Sequence, residues 1–314
     1  MELVAARALR KTFQPDRKRP SYAVRGVSLS IRKGETLGLV GESGCGKSTL
    51  GKMLLKLEQP TGGRVVFDGR DITDFSFDAM RAIRNRMQMV FQGNADAFNP
   101  YFTVRQTVGE PLDNYARETD ARKTERVLAM LEKVGLDATH LTRRPRELSG
   151  GQRQRVGIAR ALVLEPEFVV CDEVVSSIDY ALKRRILDLF SELKASMGLT
   201  YLFISHDIAA VNAVSDRVAV MYLGVIVEIV PKTDGKALHP YTRALLAAVL
   251  TPDPRKRGPL PALSGAGEEM AVPERGCVFQ SRCPSTRTEC KTDHPELRDV
   301  GGGRHVACHL YATI

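Results

Sequence analysis

The stretch that decides the fold is Gly41-Glu42-Ser43-Gly44-Cys45-Gly46-Lys47-Ser48-Thr49. It fits the pattern G-x-x-x-x-G-K-[ST], whose glycines allow backbone N–H groups to wrap around phosphate oxygens. An apolar run at residues 36–40 comes before it, and a helical pattern of leucine and methionine follows it. Because a helix start carries positive partial charge, the expected helix would face the same anion. The sequence therefore predicts a phosphate-binding loop, in which Lys47 reaches the β- and γ-phosphates and Ser48 holds Mg²⁺.

A second motif, Leu148-Ser149-Gly150-Gly151-Gln152, predicts another anion site. Ser149 suits the N-cap of a helix, and the first N–H groups of that helix can bind an anion. The motif lies in a mainly helical part of the sequence, away from the phosphate loop. We therefore expect it to complete the nucleotide site of another subunit, across a symmetric or pseudo-symmetric interface.

Polar residues at the ends of three predicted strands supply the remaining candidate chemistry. Asp172 and Glu173 follow an apolar strand at residues 168–171. We expect Asp172 to hold Mg²⁺ or its water, and Glu173 to polarise the attacking water as general base. His206 ends the next strand and could hydrogen-bond the γ-phosphate. Gln92 closes another strand, and its amide could reach Mg²⁺ or the attacking water.

The order of elements predicts an α/β fold. Strands alternate with helices over most of residues 1–250, which favours a largely parallel sheet covered on both faces. Helical sequence at about 95–164 interrupts this core and is predicted to be an inserted lobe. Residues 251–276 are dense in Pro, Gly and charge and predict a linker. Residues 277–314 have few large apolar side chains, so we expect a small unit that needs a bound metal to stay folded.

Composition narrows the possible partners. The 314 residues are 43% hydrophobic and carry a formal net charge of +9. No aromatic residues interleave with the arginine clusters, so nucleic acid is not an expected partner. Nucleotide phosphate, an acidic partner or an anionic membrane surface accounts for the charge. The longest apolar run, at 218–227, is shorter than the roughly 18 residues of a membrane span, and no signal peptide is expected.

Four cysteines crowd into the last part of the chain with the spacing C-x5-C-x6-C-x17-C: Cys277, Cys283, Cys290 and Cys308. Four soft ligands suit either zinc or an iron–sulfur cluster. Three histidines are close enough in sequence to substitute as zinc ligands: His294, His305 and His309. The spacing lacks the C-x-x-C pairs of zinc ribbons and the tight run of ferredoxins. The residues alone therefore do not decide between zinc and an iron–sulfur cluster. Plain structural cysteines are the third reading.

These motifs together resemble the ATP-binding subunits of ABC transporters over essentially the whole chain. By this resemblance the motifs take the family's names: residues 41–49 Walker A, Gln92 the Q-loop, 148–152 the signature, 168–173 Walker B, 176–179 with Asp179 the D-loop, and His206 the switch histidine. Phe13 is similar in position to the aromatic residue that stacks on adenine, with Tyr22 as the alternative. The resemblance implies ATP and Mg²⁺ as cofactors. It also implies a dimer that sandwiches two nucleotides and drives attached membrane subunits.

Within that family the chain resembles the di-/oligopeptide importer ATPases, a group with nickel-type relatives. The similarity rests on residues 41–46, 221–224 and 238–242 and on the cysteine-rich tail. A similar tail in this group binds a [4Fe–4S] cluster, so the resemblance favours the cluster over zinc. It also implies membrane permease subunits, an extracytoplasmic substrate-binding protein, and a place on the cytoplasmic face of the plasma membrane. The second ATPase is either a copy of this chain or a paralogue.

The sequence departs from the family pattern at a few positions. Val174 stands where proline is usual, Ser177-Ile178 replaces Ala-Leu, and Gly93-Asn94 replaces Asp-Pro. None of these removes a catalytic group, so we expect an active ATPase. A soluble ABC ATPase of repair or translation is the alternative. Such proteins usually carry two nucleotide modules or a long coiled-coil insertion, and this sequence shows neither. In a third reading, which can coexist with import, the tail senses iron or redox state.

Overall fold

The computed structural model describes residues 1–14, 20–91, 98–116, 118–176, 178–232, 236–247, 273 and 275–311. In the first half of the chain the elements are β1 (Glu2–Phe13), β2 (Ser21–Arg32), β3 (Thr36–Val40), α1 (Lys47–Leu54), β4 (Gly62–Phe67), β5 (Arg70–Asp71), α2 (Phe77–Arg81), β6 (Met87–Val90), α3 (Val104–Tyr115), α4 (Asp120–Lys133) and α5 (Gly150–Leu162). The second half contributes β7 (Phe168–Asp172), α6 (Tyr180–Met197), β8 (Thr200–Ile204), α7 (Ile208–Val214), β9 (Arg217–Tyr222), β10 (Val225–Pro231), α8 (Pro240–Ala247), α9 (Glu289–Thr292), β11 (Arg298–Asp299) and β12 (His305–Val306).

The central sheet is the predicted parallel one. Its strand order among the described residues is β11-β12-β10-β9-β3-β8-β7-β6, and the pairs from β9 to β6 are parallel. Every residue of β3, β7 and β8 is buried, as expected for parallel strands covered on both faces. A second sheet, β2-β1-β4-β5, is antiparallel. The prediction of an α/β fold is confirmed.

Strand alternation divides the core into two clusters on opposite faces of the central sheet. Val169 and Cys171 of β7 enter one cluster, whereas Val170 of the same strand enters the other. The first cluster includes apolar residues of α3 to α6, and the second packs α1 against the antiparallel sheet. Since successive side chains of a strand point to opposite faces, one short apolar run stabilises both layers.

The helices α3, α4 and α5 follow one another between β6 and β7, within the predicted helical segment. Thr103 and Ser149 cap α3 and α5 in the same way: each side chain accepts from a backbone N–H three residues on, and the glutamine there bonds back. In α4 the residues Val127, Met130 and Leu131 form the buried face. The helix predicted to start at Ser149 is confirmed, while the domain boundaries themselves stay a prediction.

The cysteine-rich segment differs from its prediction. Phe279 is fully buried and packs edge-on against Tyr222, with Tyr241 and His239 close by. Strand β12 pairs with β10 and extends the central sheet. The segment therefore shares the core of the ATPase fold. The expectation of a unit apart from the main core is corrected, because Phe279 and β12 pack on that core; the dependence of the segment on a metal stays a prediction.

Candidate functional site

The phosphate loop joins β3 to α1 and admits only glycine at two points. Gly46 has a φ of 106°, in the left-handed region, and a Cβ there would lie 2.0 Å from the carbonyl oxygen of Ala23. A Cβ at Gly41 would lie 2.1 Å from the carbonyl oxygen of Met221. Any side chain would collide with backbone at either place, so the loop keeps its N–H groups open to an anion.

Lys47, the first residue of α1, is buried within the loop. Its ammonium donates to the carbonyl oxygens of Gly41 and Glu42, at 2.9 Å each. The thiol of Cys45 is buried beside it, and burial raises the pKa of that thiol. The loop thus holds one cationic group next to a thiol that stays neutral, and the cation is placed to bind phosphate oxygens.

Ser48 and Asp172 form the candidate magnesium site. The Ser48 hydroxyl donates to Asp172 Oδ1 over 2.8 Å, which joins the start of α1 to the end of β7. Burial raises the pKa of the Asp172 carboxyl, while the bond from Ser48 opposes that shift. A hydroxyl and a carboxylate oxygen are the hard ligands that Mg²⁺ takes alongside substrate phosphates. The two side chains therefore fit the ion.

Glu173 and His206 form a second pair beside the loop. The carboxylate of Glu173 accepts from the backbone N–H of His206 at 3.1 Å and from its Nδ1 at 2.9 Å. Since a carboxylate only accepts, a neutral His206 carries its proton on Nδ1. Glu173 has a φ of 52°, a sparsely populated value for a non-glycine residue, and functional sites are where such strain is commonly retained.

These groups line a single cleft of about 400 Å³. Its walls are Ala23, Ser43, Gly44, Gly46, Lys47, Ser48, Thr49, Glu173 and His206. The cleft brings together a phosphate loop, a hydroxyl that contacts Asp172, and a carboxylate that can activate water. None of its lining residues comes from the signature motif at residues 148–152, called the signature turn below.

The signature turn starts α5 and is closed by its own side chains. The N–H of Ser149 donates to Gln152 Oε1 at 2.9 Å, and Gln152 N–H donates to Ser149 Oγ at 3.3 Å. Ser149 and Gly150 are exposed. The predicted N-cap is confirmed, and the turn faces away from the core.

Other predicted residues have less direct placements. Phe13 ends β1, with the Lys11 ammonium 4.8 Å from its ring centre, and Tyr22 lies on the adjacent strand β2. Asp179 caps α6, accepting from the N–H of Leu182 at 2.9 Å. The predictions for Gln92, for Gly93-Asn94 and for Ser177 lie outside the described residues. Val174, a departure from the family pattern, is buried.

Two residues that touch the loop were missed by sequence reasoning. Glu42 N–H donates to the Tyr241 hydroxyl at 3.1 Å, and the Glu42 carboxylate pairs with Arg282 at 3.1 Å. Tyr241 belongs to a stretch that marks the peptide group, which could have drawn attention to it. Arg282 lies in the cysteine-rich tail, which also marks that group, but its pairing had no signal because 240 residues separate it from Glu42.

The four clustered cysteines, Cys277, Cys283, Cys290 and Cys308, are free thiols. The N–H of Cys277 donates to the carbonyl of Cys290 at 2.8 Å. Burial raises the pKa of Cys277 to about 11, and electrostatic interaction with the other three cysteines adds to the shift. Within the described residues, however, no group of three or more His, Cys, Asp or Glu is arranged to hold a metal ion. The predicted zinc or cluster site is not supported by this arrangement.

The fold and the cleft define a P-loop ATPase of the ABC class, and comparison with known proteins agrees. The family described as "ABC transporter" matches residues 24–176, and "Oligopeptide/dipeptide transporter, C-terminal region" matches residues 227–290. The chain is 46% identical over 297 residues to the oligopeptide transport ATP-binding protein AppF of Bacillus subtilis, covering 92% of this chain and 90% of that protein. It is 43% identical to the putative oligopeptide transport ATP-binding protein YkfD of the same species, covering 99% and 96%.

A solved structure of similar fold is the dimeric post-hydrolysis state of the ATP-binding cassette MJ0796 bound to ADP and Pi. It is 28% identical, with a TM-score of 0.67, and covers 75% of this chain and 100% of that one. The chain therefore belongs to the ATP-binding proteins of ABC transporters, and within them to the oligopeptide/dipeptide group. The resemblance predicted from the motifs is confirmed.

Proposed function

We propose that this chain hydrolyses ATP to power the import of di- or oligopeptides through a membrane transporter. The observation that carries the proposal is the cleft in which the phosphate loop, the Ser48–Asp172 pair and the Glu173–His206 pair meet. The peptide specificity rests on the oligopeptide/dipeptide match at residues 227–290 and on relatives named for oligopeptide transport.

The residues of the cleft take the following roles. Lys47 and the loop N–H groups bind the β- and γ-phosphates, while Ser48 and Asp172 hold Mg²⁺, which supplies charge neutralisation of the triphosphate when bound. Glu173 accepts a proton from water as the water oxygen attacks the γ-phosphorus. The bond to the bridging oxygen then breaks and releases ADP and phosphate. His206 orients the Glu173 carboxylate by its two hydrogen bonds and contacts the γ-phosphate.

The remaining predicted residues complete the nucleotide site. Phe13 stacks on adenine, and Gln92 reaches Mg²⁺ or the attacking water. The signature residues Ser149, Gly150, Gly151 and Gln152, together with Asp179, serve the nucleotide bound by a second ATPase subunit. Exposure of the signature turn and its absence from this chain's own cleft support that assignment. The dimeric state of the MJ0796 cassette supports it by analogy.

The partners follow from the family. We assign membrane permease subunits that this chain drives from the cytoplasmic face, a second ATPase subunit, and an external substrate-binding protein that acts indirectly. Within the described residues, no helix combines the length and apolarity that crossing a membrane requires. The division into an ATPase domain at 1–250, a linker at 251–276 and a cysteine-rich extension at 277–314 is part of the same proposal.

The [4Fe–4S] cluster also belongs to this proposal. Four free thiols on one segment, with the Cys277 N–H donating to the Cys290 carbonyl, support it. A tetrahedral zinc ion, with Zn–S of about 2.3 Å, needs its sulfurs in close contact, whereas a cluster takes each thiolate at a separate iron corner. Purified anaerobically, the protein should carry about four iron and four sulfide per chain. One zinc per chain without iron would show that the segment binds zinc instead of a cluster. No metal at all would show that the four cysteines are structural.

Transport by the assembled complex tests the function. The chain is co-purified with its membrane subunits and second ATPase subunit and reconstituted into vesicles that enclose ATP. The substrate-binding protein and labelled di- and tripeptides or nickel are then added outside. Peptide-stimulated, ATP-dependent uptake is expected. Uptake of nickel but not of peptides would show that the chain serves a nickel transporter. A chain that turns over ATP but associates with no membrane subunit would favour a soluble ABC ATPase.

A further inference from the structure

A buried histidine stands directly behind the signature turn. His140 is 7% exposed and ends a short 3-10 turn, Ala138–His140. Its Nδ1 lies 2.9 Å from Asp137 Oδ1, and its Nε2 lies 3.1 Å from the amide nitrogen of Gln152. The other atom of that amide, Gln152 Oε1, accepts from Ser149 N–H at 2.9 Å. A continuous chain of hydrogen bonds therefore runs from Asp137 to the first residue of the turn.

With the His140 ring neutral, the chemistry of its partners fixes the direction of every bond in this chain. Bonds from Thr139 and His140 lower the pKa of Asp137, so its carboxylate is ionised and only accepts. His140 must then donate through Nδ1, and Nε2 of the neutral ring presents a lone pair. The Gln152 amide can satisfy that lone pair only with its NH₂ group. Its oxygen is thereby directed to Ser149.

A reversed amide would be unfavourable at both ends. The Gln152 oxygen would face the lone pair of His140, and the NH₂ group would face the N–H of Ser149. The cap that closes the turn would lose one of its two hydrogen bonds. His140 therefore selects the one amide orientation that keeps the turn closed, which leaves the N–H groups of Gly150 and Gly151 for an anion.

We propose that His140 is a positioning residue for the reaction, which holds the signature turn through Gln152 in the shape offered to the partner's nucleotide. The proposal rests on the proposed function, because it assumes that the turn serves a second ATPase subunit. His140 should affect the nucleotide site of the partner subunit. Nucleotide binding by this chain's own phosphate loop should not depend on His140.

Two substitutions separate this role from simple packing. In His140→Gln the side-chain amide reaches about as far as Nε2 and can still accept from Gln152. In His140→Asn the amide reaches only the place of Nδ1, so it can keep Asp137 and loses Gln152. We expect His140→Asn to lower kcat of the assembled transporter about tenfold, the size of effect when a buried polar group loses its partner. His140→Gln should stay within about threefold of wild type.

The isolated subunit supplies the matching control. Nucleotide affinity of the single subunit, measured with a fluorescent ADP analogue, should be unchanged in both variants. The thermal midpoint should fall by a similar few degrees in both, because each variant loses one hydrogen bond of a buried side chain. Equal kcat for the two variants, or a loss that follows the thermal midpoint, would overturn the proposal. If His140→Asn does not fold, the ring tautomer decides: nitrogen NMR of the wild-type protein should show the proton on Nδ1, and an Nε2–H tautomer would refute the hydrogen-bond chain.

Failure of the proposed function can be told apart from failure of this inference. A wild-type complex without Glu173-dependent turnover would reject the function. ATP-driven dimerisation in a Glu173→Gln background needs no hydrolysis and still tests His140. There His140→Asn should raise the ATP concentration for half-maximal dimerisation about tenfold. Unchanged dimerisation, with normal turnover in the wild type, would reject the inference alone.

Discussion

Arg282 and Glu42 form an ion pair that ties the cysteine-rich segment to the phosphate loop. Arg282 Nη1 lies 3.1 and 3.2 Å from the two carboxylate oxygens of Glu42, and the guanidinium also stacks near Tyr222 and Phe279. Arg282 is next to Cys283 in the chain. Any change of the segment that moves Arg282 therefore acts on a residue inside the loop.

Removing this pair should weaken nucleotide binding. Arg282→Ala is expected to raise the Kd for ATP of the isolated subunit about three- to tenfold, because Glu42 loses the cation that fixes the loop; the pair is only partly buried, which limits the effect. Arg282→Lys, which keeps the charge, should recover part of the affinity. Titration with a fluorescent ATP analogue measures both. An unchanged Kd in Arg282→Ala would show that the segment and the loop are independent.

The ionised Asp172 carboxylate should lower the stability of the apo-protein while it provides a ligand for Mg²⁺. Burial raises the pKa of its carboxyl, so the ionised form disfavours the folded apo-protein at pH 7. Asp172→Asn should therefore raise the apo thermal midpoint at pH 7 by a few degrees and lower Mg²⁺-dependent hydrolysis about 100-fold. The gain in midpoint should shrink as the pH falls through the raised pKa, because the wild-type carboxyl is then protonated too. Scanning calorimetry from pH 7 to pH 4 checks this. A gain that persists unchanged at low pH contradicts the assignment.

Phe279 tests whether the cysteine-rich segment belongs to the main core. Its fully buried ring packs against Tyr222 and Tyr241, so Phe279→Ala should lower the free energy of unfolding by about 3–5 kcal/mol. Phe77, which is 80% exposed, is the matched control: Phe77→Ala should change it by less than about 0.5 kcal/mol. Urea unfolding measures both. Equal effects would mean that the segment does not share the core.

Metal removal should leave the segment folded. Apolar packing of Val278 and Phe279 and the pairing of β12 with β10 join it to the main core. After treatment with a strong chelator under reducing conditions, the amides of Ile229 and Ala307 should keep their protection from hydrogen exchange. Loss of that protection on chelation would restore the prediction of a metal-dependent unit.

The sequence predicted what local patterns can encode. The phosphate loop, the capped start of α5 and the buried strands β3, β7 and β8 all follow from residue type and spacing within a few positions. Contacts between distant residues had no such signal. The Arg282–Glu42 pair depends on tertiary packing, and so does the burial of Phe279 under Tyr222 and Tyr241. The cysteine-rich segment, which has few apolar residues, was therefore expected to form a separate unit. In the structure its apolar residues pack against the core of the ATPase fold instead.

Glu173→Gln tests the central claim, that the Glu173 carboxylate activates water in the cleft, most directly. The glutamine keeps an acceptor for His206 but cannot take a proton from water. ATP turnover of the assembled transporter should fall at least about 100-fold, while the Kd for ATP of the isolated subunit stays within about twofold of wild type. Turnover close to that of the wild type in Glu173→Gln would contradict the account and place the general base elsewhere.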